Sequence, residues 1–272
     1  MPSTIAYERA QPTNQAHLAA ILHCERIGFG KGIDPVELPE VLPFIARTGT
    51  VWLQYAEPTE TERKATGVLE FLPLDASLAQ WPEERERLAS RDVDVSESSL
   101  GTILADHERT FADVRRFTGL PDSDIVYHHG ISMAEQGKGY GRKLLTHGLS
   151  RINSEKAVVC YIDAAQFNPE TGTLEPAPNE RSYTLHMGHK GRFMLVGFVD
   201  PPVYEGTITH YAMVRPPQGL LKCFVEEPEE VRFDVPNVSD TIGQVHELTK
   251  AGFVGVNYDH ETHTMTFRQV QK

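Results

Sequence analysis

Apolar and polar positions change their spacing several times along the chain, and each change marks an element. Ile5 to Glu8 reads as a first strand. From about Thr13 the apolar positions Ala16, Ala19, Ala20, Leu22 and Ile27 recur at helical spacing, with Thr13 or Asn14 as the cap. Glycines 28, 30 and 32 stop that helix, and a second helical piece spans roughly Val36 to Arg47, interrupted by Pro39 and Pro43. Val51 to Ala56 and Val68 to Leu72 have the character of strands, and the polar stretch EPTETERKAT between them makes a hairpin. Ile125 to Met133 is an apolar strand that runs at once into glycines 137, 139 and 141. A helix follows, because Gly141, Leu145, Leu149 and Ile152 fall on one face at spacings of three and four.

Beyond it, Lys156 to Ile162 is a continuous apolar strand, NPETGTLEPAP a proline-marked loop, and Asn179 to His186 a helix. A last core strand runs from about Thr207 to Val214. Pro216-Pro217 closes this domain, expected over residues 1–217. The tail, 218–272, reads as strand, helix and a hairpin turning at Asp259 to Thr262, a small αβ appendage that packs on the main domain or on a second subunit of a homodimer. Between Pro73 and Pro121 the pattern carries an insertion, about 74–121. A charged stretch, WPEERERLASRDVDVSES, precedes a periodic helix marked by Leu100, Ile103, Leu104, Phe111, Val114 and Phe117. Such a segment either covers the substrate end of a site or packs on the outside.

The strand, glycine turn and helix from Ile125 to Ile152 carry the clearest chemistry. Glycines let backbone amides converge on an anion through positive φ and leave no Cβ in its way, and the helix start adds the positive end of its dipole. Lys138 and Arg142 put mobile positive charge beside those amides. A Walker loop is absent, and a dinucleotide fingerprint would need a third glycine where Arg142 stands. What remains is Q-x-x-G-x-G, made by Gln136, Gly139 and Gly141, with Gly137 inside it.

This stretch, with Ile131 before it and Leu144-Leu145 after, resembles the acetyl-CoA loop of the GCN5-related N-acetyltransferase superfamily, [RQ]-x-x-G-x-[GA] between that family's fourth strand and third helix. Met133 replaces the family's frequent proline and Gln136 its commoner arginine. The resemblance implies an α/β (α+β) fold with a mixed, mostly antiparallel central sheet flanked by helices. It also implies an enzyme that moves an acetyl group from the coenzyme A thioester to a primary amine by direct attack in a ternary complex. The backbone of Ile131 and Met133 would pair with the pantetheine arm, and an amide there would serve the thioester oxygen. Asn179 and Ser182, in an N-x-x-[AS]-x-x-x-[YH] pattern ending at His186, would bond the pantetheine or phosphate end. His186 stands where the family commonly has a tyrosine that protonates the departing sulfur. Gly191 comes five residues after His186 rather than four, a departure from the family pattern.

Strand parity supplies a base. Residues 127, 129 and 131 share one face of a regular strand, and the resemblance implies that the face of Ile131 meets substrate, which would put Tyr127 and His129 there and turn His128 to the helices. An imidazole, with an ordinary pKa of about 6.5, suits general base catalysis directly or through a water. A bulge in the strand would reverse this parity. A non-catalytic acyl-CoA-binding protein on the same fold is the alternative reading.

Composition narrows the setting. A chain of 272 residues, 40% hydrophobic and 24% charged, has the balance of an ordinary soluble protein. A formal net charge of −12 argues against nucleic acid; it either serves solubility alone or suits a cationic small-molecule or peptide amine as acceptor. No apolar run has the length of a membrane span and the first residues lack signal-peptide character, so a cytoplasmic protein is expected. Cys24, Cys160 and Cys223 are odd in number and far apart, which reads as buried thiols. The pairs His186/His189 and His260/His263 come with no further ligands at metal spacing, so no metal is expected.

Overall fold

The computed structural model describes residues 5–28, 37–56, 64–135, 137–168, 173–176, 180–188, 191–199, 210–220, 224, 227–233 and 238–270. They belong to two compact units, Met1–His107 with Asp122–Asn153, and Glu108–Pro121 with Ser154–Lys272. Both are mixed α/β, with antiparallel strand pairs among the described residues.

In the first unit β1 (Ile5–Arg9) leads into α1 (Gln15–Gly28), and Asn14 is its cap: the side-chain oxygen accepts the amides of Ala16 and His17 at 3.0 and 3.3 Å. α2 (Leu42–Thr48) is shorter than the pattern suggested, because Pro43 belongs in the first turn of a helix rather than its middle. β2 (Thr50–Ala56) and β3 (Ala65–Pro73) form the expected hairpin pair. The charged stretch after Pro73 is itself a helix, α3 (Leu74–Ala89), and α4 (Ser99–Ala105) follows. The single periodic helix expected after it is broken instead into α4, α5 (His107–Thr110) and α6 (Ala112–Thr118). β4 (Ile125–Met133) and α7 (Tyr140–Leu149) complete the unit, whose strands lie in the order β1-β2-β3-β4.

The insertion is core structure. Trp81 of α3 meets Phe44 of α2 edge-on at 5.4 Å between ring centres, and Leu74, Leu88, Leu100 and Leu104 are all buried. Glu84, on the charged face of α3, turns inward and bonds Arg47 at 3.1 Å together with Arg87. α6 belongs to the second unit, where Asp113 accepts the Phe198 amide at 3.0 Å.

The second unit contains β5 (Ala157–Asp163), the hairpin β6 (Ala165–Asn168) and β7 (Thr173–Pro176), α8 (Glu180–Met187), β8 (Met194–Phe198) and β9 (His210–Arg215). β10 (Glu229–Arg232), α9 (Val238–Lys250), β11 (Phe253–Asp259) and β12 (Thr264–Gln269) follow. The sheet order is β5-β9-β8-β11-β12-β10. Two expectations change here. Part of the proline-marked loop is the β6–β7 hairpin, and β8 is a strand that the pattern did not mark. The second compact unit takes up the chain again at Ser154, and within it β11 of the tail pairs with β8 through Gly255 and Leu195.

α7 is seated on β3 at a glycine. A Cβ on Gly148 would run into Leu69 Cδ2 and would lie 2.6 Å from Phe71 Cε2, so the helix reaches the sheet only because that side chain is absent. Gly148→Ala should therefore destabilise the protein by about 1–3 kcal/mol through overpacking, although alanine gains about 1 kcal/mol in helix propensity. Urea denaturation reads the sum, and a variant more stable than wild type would refute this account of the contact.

Candidate active site

β4 holds the centre of the site, and one irregularity shapes it. Gly130 pairs with Glu70 and His128 with Phe71, which leaves His129 as an extra residue in a bulge. Directly paired residues in an antiparallel sheet point to the same side. Leu69 and Phe71 face α7, as their approach to Gly148 shows, so their partners Ile131 and His128 face α7 too. Ser132 faces the opposite way, donating to the Cys24 carbonyl of α1 at 2.7 Å. Tyr127, paired with Leu72, and the bulged His129 lie on this α1 side. Tyr127 and His129 do share a face, as expected, but the bulge takes Ile131 off it.

On that side His129 meets two carboxylates, backed by a third, that the sequence reading did not single out. Its Nε2 lies 3.3 Å from Glu37 Oε2 and 4.0 Å from Glu70 Oε2, and its Nδ1 lies 3.3 Å from the Tyr127 hydroxyl. Glu37 is clamped by backbone: the Leu38 amide donates to Oε1 at 2.8 Å and the Leu100 amide to Oε2 at 3.0 Å. Glu25, on α1, accepts the Glu37 amide in turn. All three carboxylates are buried.

Their protonation divides by partnership. Burial would push the Glu37 carboxyl up, but the hydrogen bond and charge of His129, the Leu100 amide and the Ser98 hydroxyl outweigh it and hold the group below the ordinary carboxylate range. Burial and then the neighbouring Glu37 charge push Glu25 up to about 8, against the opposing Glu37 amide. Burial, with Glu25 and Glu37 beside it, pushes Glu70 well above the ordinary value. Glu25 Oε2 and Glu70 Oε1 have no hydrogen-bond partner among the described residues, which fits protonated carboxyls better than charged ones. At neutral pH the cluster thus carries its negative charge on Glu37. A sequence signal existed for Glu70, a lone carboxylate within the apolar strand VLEFL. Nothing local marks Glu37.

Downstream on the same strand, the glycine turn is open. Ala134 and Glu135 donate their amides to the Thr66 carbonyl at 2.9 and 3.4 Å, after which the chain turns away. Gly137 and Gly139 have φ of 81° and 70°, and a Cβ built on either would meet nothing within 4 Å. Gly139 caps α7 with no side-chain bond to the helix start, so the first amides of α7 face outward beside the exposed Arg142. Lys138 pairs with Glu135 at 2.8 Å and stacks on the Tyr140 ring. Gly141 lies inside the helix with ordinary φ, so its place in the motif does not rest on backbone conformation. Gln136 and Asn179 lie outside the described residues.

His186 and Ser182 belong to the second unit. His186 Nδ1 donates to the Ser182 carbonyl at 2.8 Å and lies 3.2 Å from the Ser182 hydroxyl. Burial lowers its pKa to about 4, with the Ser182 bond opposing. The imidazole is therefore neutral at pH 7 with its proton committed to a backbone carbonyl. The proton that the acid role expected of His186 would need is thereby withdrawn. Cys24 and Cys160 are buried free thiols, their pKa values raised by burial, and Cys223 lies outside the described residues. Among the described residues no group of His, Cys, Asp and Glu could hold a metal, and no helix is long and apolar enough to cross a membrane.

No protein-family model matches the sequence, and a search of curated proteins found no match. The chain is similar to several solved structures. An acetyltransferase from Thermus thermophilus is 12% identical with a TM-score of 0.39, covering 78% of this chain and 97% of its own. Mosquito arylalkylamine N-acetyltransferase like 5b is 15% identical with a TM-score of 0.44, over 78% and 99%. A Salmonella typhimurium protein solved with its cofactor acetyl-CoA is 15% identical with a TM-score of 0.40, over 83% and 99%.

The carboxylates make stability depend on pH. Glu25 binds its proton more tightly folded than unfolded, so its contribution is complete below the unfolded value near 4.5 and is lost as pH rises through about 8. Glu25→Gln should flatten the fall of the urea midpoint between pH 5 and 8, the two proteins differing in slope by up to about 1.4 kcal/mol per pH unit. Parallel stability curves for variant and wild type would show that Glu25 ionises normally.

Proposed function

We propose that this chain is an acetyl-CoA-dependent N-acetyltransferase of the GCN5-related kind, transferring the acetyl group directly to a primary amine. The observation that carries the reading is the arrangement along β4: His129, its side chain enclosed, with phenol and carboxylate partners at its bulge, and a few residues on a glycine turn where a Cβ on Gly137 or Gly139 would meet nothing within 4 Å. The two halves match the two demands of the reaction. A pyrophosphate needs bare amides and a helix start, and an amine needs a base to leave it unprotonated for attack on the thioester.

In this reading the pyrophosphate of coenzyme A lies against the amides from Gly137 to Gly141, with Arg142 beside it. The pantetheine arm runs along the main chain of Ile131 and Met133, and a backbone amide there meets the thioester oxygen as charge develops on it. His129 takes the amine proton. Amide formation moves one proton from nitrogen to sulfur overall, so the proton collected at His129 is the one the departing thiolate requires. The acceptor is a small-molecule or peptide amine, and the acidic surface favours a cationic one.

Free thiol released from acetyl-CoA in the presence of a panel of amines tests the reading. Two variants separate its halves. Gly139→Asn keeps the backbone conformation, since asparagine tolerates positive φ, but places a side chain where the phosphate lies. Its affinity for coenzyme A by calorimetry should fall by about 10-fold or more, as expected when a helix-start anion site is blocked. His129→Ala should retain that affinity and lose about 10²-fold in kcat, the size of a general base. Wild-type coenzyme A affinity in a folded Gly139→Asn protein would overturn the loop assignment, and an unchanged kcat in His129→Ala would overturn the base.

A further inference from the structure

We infer that Glu37 is the positioning residue that fixes the tautomer of His129 and stabilises its imidazolium, and that the insertion sets it in place. This rests on the acetyltransferase reading for its catalytic consequence, though not for its geometry. The group on each ring nitrogen dictates the assignment. Glu37 is the ionised member of the cluster and can only accept, so His129 Nε2 carries the hydrogen and donates across 3.3 Å. The competing carboxyl, Glu70, is farther away at 4.0 Å and keeps its own proton. Nδ1 is then the basic nitrogen, and the Tyr127 hydroxyl at 3.3 Å donates to it in the resting state.

A proton leaving the acceptor amine therefore reaches Nδ1 by way of the Tyr127 oxygen: the amine gives its hydrogen to the phenol as the phenol gives its own to Nδ1. The ring becomes an imidazolium between Tyr127 and the Glu37 carboxylate. The reverse passage delivers that proton to the thiolate, so no proton is gained or lost over the cycle. Glu37 touches neither substrate nor reacting atoms. Its own orientation comes from the backbone amides of Leu38 and Leu100 and from the Ser98 hydroxyl. Ser98 and Leu100 sit at the start of α4, so the inserted segment supplies two of the donors that hold the carboxylate ionised. Among the described residues, Glu70 on β3 also approaches the ring and Glu25 on α1 backs Glu37, and burial raises the pKa of both.

The first test needs no substrate. Nitrogen-15 NMR of histidine-labelled protein, with His129 assigned by comparison with His129→Gln, should show the neutral ring as the Nε2–H tautomer. Glu37→Gln, which keeps the size but not the charge, should lose that preference or mix the tautomers. An Nδ1–H ring in wild type would overturn the inference whether or not the protein is an acetyltransferase. The second test is kinetic: Glu37→Gln should lower kcat by about 10-fold to 10²-fold with KM for the amine and affinity for acetyl-CoA unchanged, and should move the acidic limb of the kcat/KM profile to lower pH. Glu37→Asp keeps the charge and should restore the position of that limb. A wild-type protein that turns over acetyl-CoA and a Glu37→Gln variant with the same kcat and pH profile would sink the positioning role while leaving the proposed function intact. Wild-type protein that shows the Nε2–H ring but no turnover with any amine would sink the function and leave the geometry.

Discussion

One extra residue in β4 governs the site. In a regular strand, side chains alternate strictly, and His129 would lie on the side of Ile131, against the helix α7. The bulge sets both His129 and Gly130 opposite Glu70, which turns His129 to the α1 side next to Tyr127 and leaves Ile131 on the other. The same strand can then do two unlike things. Its bulged half presents ionisable side chains to one face, and its regular half passes straight into a turn whose amides are the functional groups. Gly148 and Gly67 keep α7 and Met133 tight against β3, so the turn is held at a fixed place relative to the bulge.

Burying three carboxylates beside one histidine looks like a poor exchange of free energy, and the cluster resolves it by charge reduction. Two charges about 4 Å apart repel by about 4 kcal/mol at the effective dielectric of a protein. That is ample to keep protons on the two carboxyls with fewer donors. Glu37 has two backbone amides, a hydroxyl and the imidazole, and of the three carboxyls it is the one whose pKa is lowered, whereas the single amide on Glu25 does not outweigh burial. Glu25 and Glu70 raise each other's cost of ionisation and thereby sharpen the distinction. A histidine in such surroundings faces one definite anion instead of a diffuse negative field, and that gives its ring an orientation.

Much of the frame was legible because it is local. Asn14 caps α1 through its own side chain, Ile125–Met133 runs as a strand straight into the glycine turn, and the glycines at 137 and 139 announce positive φ where it occurs. What escaped was non-local. The bulge leaves no trace in periodicity, since Ile125 to Met133 reads equally well straight or kinked. Glu37 reaches its role through an amide 63 residues away and a histidine on β4. β8 was missed because MLVGF is a short apolar run broken by its own Gly197, too short for periodicity to classify. His186 misled for the opposite reason: its position matched a family pattern, but burial and the Ser182 carbonyl determine its chemistry.

Residues 74–121 illustrate how polar groups bind a helical segment to its surroundings more firmly than its apolar face suggests. A helix that merely covered the outside could be removed at the cost of exposed hydrophobic surface. Here the segment also satisfies groups that cannot be left alone. The Leu100 amide is one of two backbone donors to a buried carboxylate in the first unit, and Asp113 accepts the Phe198 amide beside the register shift of β8 in the second. Losing the first would leave a buried anion short of a donor, and losing the second would leave an amide unsatisfied, each a penalty of about 1–3 kcal/mol beyond the lost packing. The penalty at Glu37 has a second effect. A carboxylate deprived of that donor moves towards protonation like its neighbours, and a protonated Glu37 no longer compels His129 to hold its hydrogen on Nε2.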